Sequence, residues 1–290
     1  MQRDIVLVPV YDRPEFLWLC LEAISHNPEA GDLDIWVLVD QHTNQRNIPD
    51  HLEIDRVLSA FCFLRLQKIV QMPHNAPGNS LNVLEGYKRA YEAGAAHVFL
   101  VEDDVLITED FFRWHYAVQV AGDWIASIGF RNLRNSAVGK STEPGEFFSS
   151  AWDYASIGVC FRREKLAAVI PHACAAYYSD SGGYILRTFP SNRFGDCFTE
   201  QDGLIMRVMG ETNGVTAWPY VPRAYHLGWY GYHRSGAHYA GRLEERVQRL
   251  RYAISDPATL ARMNRDAWGD IEQPPALTPV WERLIMKQEL

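Results

Sequence analysis

His97-Val-Phe-Leu-Val101 runs without a break into Glu102-Asp103-Asp104. A short, continuous apolar run of this kind reads as a strand buried on both faces. Ligands of open parallel sheets bind outside the carboxyl ends of the strands, where these three carboxylates stand. Adjacent carboxylates repel one another unless a cation balances them. Hard divalent cations with oxygen ligands, Mn²⁺ or Mg²⁺, suit such a group and also bind diphosphates. The plainer alternative is an acidic cluster at a helix start. Val105-Leu-Ile-Thr-Glu-Asp110 separates the triplet from the next helix, so the metal reading ranks first.

The chain before this stretch alternates strands and helices. Asp4-Ile-Val-Leu-Val-Pro-Val10 is a β-branched run, broken by Tyr11-Asp12-Arg13-Pro14. Pro14 suits the first turn of a helix, and Phe16, Leu19, Cys20, Ala23 and Ile24 give Glu15–Ser25 helical spacing. Leu33–Val39 reads as a strand ending at Asp40, 51–64 as a helix and 66–71 as a short strand. Ser80–Ala93 reads as an amphipathic helix that Gly94 ends. This order predicts an α/β fold, a doubly wound, mostly parallel sheet.

After Asp104 the pattern changes. Helices are expected at 109–120, 164–170, 200–209, 243–254 and 258–268, and strands at 124–130, 155–162 and 214–220. The polar segment 132–146 reads as a long loop able to close over a ligand, and 180–192 as a further loop. Residues 273–279 form a proline-rich linker before a last short helix. The expected organisation is one domain over 1–235, divided near residue 125, followed by a helical extension over 236–290.

Composition narrows the class. Of 290 residues, 47% are hydrophobic, 22% charged and 12% aromatic, the profile of a folded globular chain. The net charge of −8 disfavours binding nucleic acid through the whole surface. Five cysteines without CxxC spacing argue against a disulfide framework or structural zinc and for a reducing compartment. No apolar run approaches the roughly 20 residues of a membrane span, and the run after Asp4 is too short for a signal peptide. A cytoplasmic enzyme is expected.

Neither GxxxxGK[ST] nor GxGxxG occurs, which removes the main support for P-loop phosphoryl transfer and for dinucleotide-binding folds. A sheet that binds a nucleoside diphosphate through a metal, with no glycine-rich loop, points to sugar transfer from a nucleotide sugar. The motif order supports this. Strand-VPVYDRPEF-helix, strand-VDQ and helix-strand-EDD resemble the GT-A fold glycosyltransferases, and more closely their N-acetylglucosaminyltransferase I-like branch. That branch carries a strand with a Cys-Asp-Arg-Ser turn, a strand ending in Gln-Asp, and EDD followed by Pro-Asp-Phe-Phe. Tyr11-Asp12-Arg13-Pro14, Val39-Asp40-Gln41, Glu102-Asp103-Asp104 and Glu109-Asp110-Phe111-Phe112 stand in those places. Ala155–Phe161 and Thr199-Glu-Gln-Asp-Gly203 resemble its later strand and acidic helix start. The family's disulfides are absent, and Gln201 separates Glu200 from Asp202.

The resemblance implies a nucleoside-diphosphate sugar donor, a UDP-sugar favoured, and transfer of a hexosyl group to a hydroxyl. It places Asp40 on the base edge, Arg13 near the diphosphate with Tyr11 beside it, Glu102 and Asp103 on ribose or donor sugar, and Asp104 on the metal. Asn79, in Pro73–Asn79, resembles donor-lining residues of other GT-A enzymes. Asp202 would be the base of an inverting enzyme, with Glu200 beside it; a retaining enzyme needs no such base. The plainer alternative for Asp202 is helix capping. His226, after the last core strand, reads equally as a third metal ligand or as a loop hydrogen-bonder.

Residues 223–252 hold six arginines and two glutamates, a local charge of +4, interleaved with aromatics. They can cover a diphosphate or stack on a sugar or a base, although 246–251 reads better as a solvated helix face. His233 and Arg234 read as functional, and Trp152 as a core aromatic that can also face a sugar. The acceptor is a carbohydrate or, alternatively, a hydroxymethylated base in DNA. A nucleotidyltransferase ranks lower, because Tyr11-Asp-Arg-Pro-Glu-Phe16 lacks glycine; a non-enzymatic nucleotide-sugar binder ranks last.

Overall fold

The structure, a computed structural model, describes residues 3–43, 51–130, 146–151, 153–190, 198–228, 230–231, 234–235, 241–256 and 259. The first half follows the expected alternation: β1 (Ile5–Val10), α1 (Pro14–Ser25), β2 (Asp34–Val39), α2 (His51–Ala60), β3 (Leu66–Val70), α3 (Ser80–Glu92) and β4 (His97–Leu100). All six residues of β1 are buried. β3, β2, β1 and β4 lie side by side, and every pairing among them is parallel. Their carboxyl ends therefore share one edge, where Asp40 and Glu102–Asp104 follow the strands.

The second half is mixed. It comprises β5 (Val105–Ile107), α4 (Phe111–Ala121), β6 (Ala126–Ile128), β7 (Phe147–Ala151), β8 (Val159–Arg162), α5 (Arg163–Leu166), α6 (Ala175–Ser179), α7 (Ser181–Thr188), α8 (Gln201–Glu211), β9 (Val215–Pro219), β10 (Ala224–His226) and α9 (Leu243–Ser255). The eight-stranded sheet has the order β3-β2-β1-β4-β8-β6-β9-β7. β8 runs antiparallel to β4, with Leu100 opposite Val159. The chain that enters β8 therefore lies beside the chain that leaves β4. Gly158, at φ +64°, makes the turn into β8; a Cβ there would stand 2.6 Å from Ala224 Cβ.

Several expectations change. The separator after Asp104 contains β5, which pairs antiparallel with β10 in a small sheet of its own. His226, expected just past the last core strand, is itself the last residue of β10. Residues 180–192, read as a loop, contain α7, whose start is secured by Asp180 Oδ1 accepting from Gly183 N at 2.9 Å. The cap offsets part of the helix cost of the two glycines. The expected strands at 124–130 and 155–162 shorten to 126–128 and 159–162, and the helices at 51–64 and 164–170 end at 60 and 166. β7 was not foreseen. The expected loop at 132–146, except Glu146, lies outside the described residues, as do the linker and the helices after α9, except Thr259.

α9 packs on α1. Leu243, Val247, Leu250 and Ile254 are buried in the same core cluster as Phe16 and Leu17. Arg249 is exposed, as a solvated face requires, but Arg246 and Arg251 are not. Arg246 lies 3.2 Å from Glu15 Oε2 and 3.3 Å from Glu53 Oε2, and Arg251 lies 2.7 Å from Glu22 Oε2. The i, i+4, i+7, i+11 apolar stripe seats the helix, and the flanking arginines then meet acids on α1 and α2. Leu250→Ala should cost about 2–5 kcal/mol by leaving a cavity under α9. Thermal unfolding checks this: a melting temperature equal to wild type would mean that α9 is not part of the core.

Candidate active site

Arg13, just before α1, reaches across to the end of β4. Its Nε donates to Asp103 Oδ2 at 3.2 Å, its Nη2 donates to Asp103 Oδ1, and its Nη1 donates to Asp104 Oδ2 at 2.7 Å. Both aspartates are buried. Burial alone would lower the Arg13 pKa, but the two carboxylates outweigh it and raise the value. Arg13, expected near a diphosphate, thus supplies the first positive charge on the acidic triplet. Glu102 turns to another partner, accepting from Asn79 Nδ2 at 2.8 Å. Burial pushes the Glu102 carboxyl well up, with further upward pressure from Asp104 and Asp202.

The β5–β10 pairing carries His226 to Asp104. His226 stands opposite Val105, and Leu227 N donates to Asp104 O at 2.7 Å. This leaves His226 Nε2 3.2 Å from Asp104 Oδ2. Arg13 and His226 hold the Asp104 carboxyl below its ordinary range, against burial. His226 Nδ1 is buried without a hydrogen-bond partner among the described residues. No group of three or more His, Cys, Asp or Glu that could hold a metal occurs among the described residues. A carboxylate with an imidazole nonetheless fits a cation whose remaining ligands are substrate phosphates and water.

Asp202 comes to the same edge through α8. Ser80, opening α3, accepts from Gln201 N at 3.0 Å and donates to Gln201 Oε1 at 3.3 Å. A Cβ on Gly78 would stand 3.4 Å from Glu200 Cγ, so the two helix starts are in contact. The Asp202 side chain accepts from Ser156 Oγ at 3.5 Å, and its Oδ1 is buried without a hydrogen-bond partner among the described residues. Burial pushes the Asp202 carboxyl up to about 7, against the hydrogen bonds from Ser156. Ser156 sits in the turn before β8, beside the end of β4. Asp202 helps to raise the Glu102 carboxyl electrostatically across this floor, with Tyr87 and Tyr154 buried between α3 and β8, their hydroxyls 3.4 Å apart.

A second cluster lies at the ends of β2 and β3. Asp40 is buried and pairs with His74 Nε2 at 2.5 Å. Ala76 N donates to His74 Nδ1 at 3.3 Å, which fixes the proton on Nε2, toward Asp40. Tyr11 Oη donates to His42 O at 3.4 Å. Sequence reasoning missed His74, Ser80 and Ser156. The adjacency of β2 and β3 was the one signal for His74, since it places the loop after β3 beside Asp40; the other two follow only from antiparallel pairing and helix docking.

The basic segment is partly spent within the fold: besides Arg246 and Arg251, Arg223 is buried and its Nε lies 3.0 Å from Asp110 Oδ2. Trp152, Trp229 and His233 lie outside the described residues, and the side chain of Arg234 with them. No helix among the described residues is long and apolar enough to cross a membrane.

No family model matches the chain, and no curated protein matches it by sequence. Solved structures resemble it in shape. Staphylococcus aureus TarS 1–349 in complex with UDP-GlcNAc is 13% identical, with 92% of this chain and 73% of that chain covered, at a TM-score of 0.49. Mannosyltransferase PcManGT from Pyrobaculum calidifontis, in complex with GDP-Man and Mn²⁺, is 16% identical over 97% of this chain and 68% of that chain, at 0.45. The galactosyltransferase LgtC, in complex with donor and acceptor sugar analogues, is 13% identical over 74% and 72%, at 0.42. With TarS 1–349 alone the alignment spans only 60% of that chain. Identities and scores this low leave the functional argument to the chain's own residues.

In the unfolded chain the Asp202 carboxyl titrates near 3.8, and in the folded chain near 7. Between those values the folded state holds a proton that the unfolded state has released. Stability from this group therefore falls as pH rises from about 4 to about 7. Asp202→Asn should remove that fall, so its melting temperature should gain on wild type between pH 4 and pH 8. A constant difference across that range would contradict the burial.

Proposed function

We propose that this protein is a glycosyltransferase of the GT-A type, moving a sugar from a nucleoside-diphosphate sugar to an acceptor hydroxyl with inversion. The observation that carries the reading is Asp202. It is a buried carboxyl titrating near 7, at a helix start docked on Ser80 of α3 and near enough to Glu102 to raise that carboxyl electrostatically. An inverting transfer needs one carboxylate to accept the proton of the acceptor hydroxyl while its oxygen bonds to the anomeric carbon. The glycosidic bond to the diphosphate breaks with the electron pair leaving on phosphate. The hydrogen bond from Ser156 orients Asp202 for this proton, and a pKa near 7 suits a base working at neutral pH. The nearer resemblance, to the N-acetylglucosaminyltransferase I-like branch, rests on sequence motifs alone.

Asp104 and His226 would hold Mn²⁺ or Mg²⁺, which when bound neutralises charge on the leaving diphosphate. Arg13 compensates Asp103 and Asp104, so that the buried pair does not carry its full negative charge. Asp40, fixed by His74, would accept an N–H from the nucleobase, and Asn79 with Glu102 would line the donor sugar. The fold's use of Arg223, Arg246 and Arg251 in internal ion pairs withdraws part of the support for a DNA acceptor.

The test is to incubate the protein with Mn²⁺ and a panel of nucleotide sugars and to measure which nucleoside diphosphate is released. Asp104→Asn should abolish release while leaving the circular dichroism spectrum unchanged; full activity in excess EDTA would sink the metal assignment. Asp202→Asn should lower turnover about 10²–10⁴-fold and erase the acidic limb of the rate profile. Asp40→Ala should weaken donor binding by about 1–3 kcal/mol. Calorimetry that finds affinity for every nucleoside diphosphate unchanged would place the base elsewhere.

A further inference from the structure

Phe198 stands four residues before Asp202 in a conformation that L-residues rarely adopt, at φ +54°. It is also 63% exposed, an unusual place for a strained aromatic. The surrounding structure enforces the strain. Arg207, itself 1% exposed, donates through Nη1 to Phe198 O at 2.8 Å and to Gly203 O at 2.7 Å. Tyr177 Oη donates to Thr199 O at 2.7 Å. Gly203, beside Asp202, has no Cβ, and one placed there would meet the Phe198 carbonyl and stand 2.9 Å from Phe198 Cβ. A buried arginine, a buried tyrosine and a glycine thus hold an exposed ring in a costly conformation against the first turn of α8. Strain maintained this way beside a reactive carboxyl motivates a functional reading.

We infer that Phe198 is an acceptor-binding residue, its ring stacking on the apolar face of a neutral sugar whose hydroxyl is presented to Asp202. The inference rests on the transferase reading above and names its acceptor class. Aromatic faces pack well on flat, partly apolar rings. The charge nearby selects among such rings. Glu200 and Asp202 follow Phe198 by two and four residues in a chain of net charge −8, a local sign that disfavours a phosphate backbone and tolerates an uncharged glycan.

The experiment uses the full chain and three variants, Phe198→Ala, Phe198→Tyr and Phe198→Gly. Binding is read on an array of immobilised neutral glycans with UDP and Mn²⁺ present, and on a duplex containing 5-hydroxymethylcytosine. Phe198→Ala should weaken the bound glycans about tenfold, a loss that falls on acceptor KM much more than on kcat, and Phe198→Tyr should restore it. Phe198→Gly should melt at or above the wild-type temperature, because glycine adopts this φ without strain, and should bind glycan as weakly as Phe198→Ala. A glycine variant melting several degrees below wild type would make Phe198 a packing residue and overturn the inference. So would the absence of any neutral glycan held more tightly by wild type than by Phe198→Ala, or a loss confined to the DNA duplex. Release of nucleoside diphosphate by the wild type without acceptor reports on the transferase reading separately.

Discussion

The Arg13 guanidinium, bonded to both Asp103 and Asp104, is the interaction on which this site depends. Two buried carboxylates on adjacent residues would repel strongly in a medium of low dielectric. A planar cation with a fork of donors can satisfy both at once, as a lysine ammonium cannot. The clamp also joins the start of α1 to the end of β4, and so holds together the loops that leave two neighbouring parallel strands. Asp104 then carries a second partner, His226, because β10 runs back along β5. One carboxylate is thus tied to two segments far from it in sequence.

The change from parallel to antiparallel pairing brings the remaining chemistry to this edge. Had β8 continued the parallel pattern, its incoming turn would lie at the opposite end of the sheet, and Ser156 with it. Antiparallel pairing with β4 instead sets Ser156 at the sheet end from which Glu102 leaves, and α8 docks there through Ser80 and Gln201. The buried Asp202 is therefore a consequence of topology as much as of its own neighbours in sequence. Its high pKa reflects the loss of water at that junction, since the hydrogen bonds from Ser156 act in the opposite direction.

α9 shows the same economy at the back of the site. Its apolar stripe packs on α1, and its arginines meet Glu15, Glu53 and Glu22. Glu15 is fully buried two residues from Arg13. The helix that carries the clamp is thus braced by a segment that, read alone, looked like a basic surface.

The sequence by itself determined the parallel half. Buried β-branched runs alternating with amphipathic segments specify β1 through β4, because period and apolarity are local properties of the chain. It also determined that Asp40 and Glu102–Asp104 lie at strand ends, since each follows its strand directly. It could not show which cation meets the acids. Arg13 belongs to a turn that reads as helix-starting, and its 90-residue reach to Asp103 is a matter of strand order. Nor could it show the partners of Asp40 and Asp202, His74 and Ser156, which depend on pairings between distant strands. α7 was hidden in a segment that reads as a loop, where a capping aspartate offsets part of the helix cost of two glycines. Tertiary structure alone decided these points, because charge balance, burial and strain are properties of neighbours in space, and strand direction determines who those neighbours are.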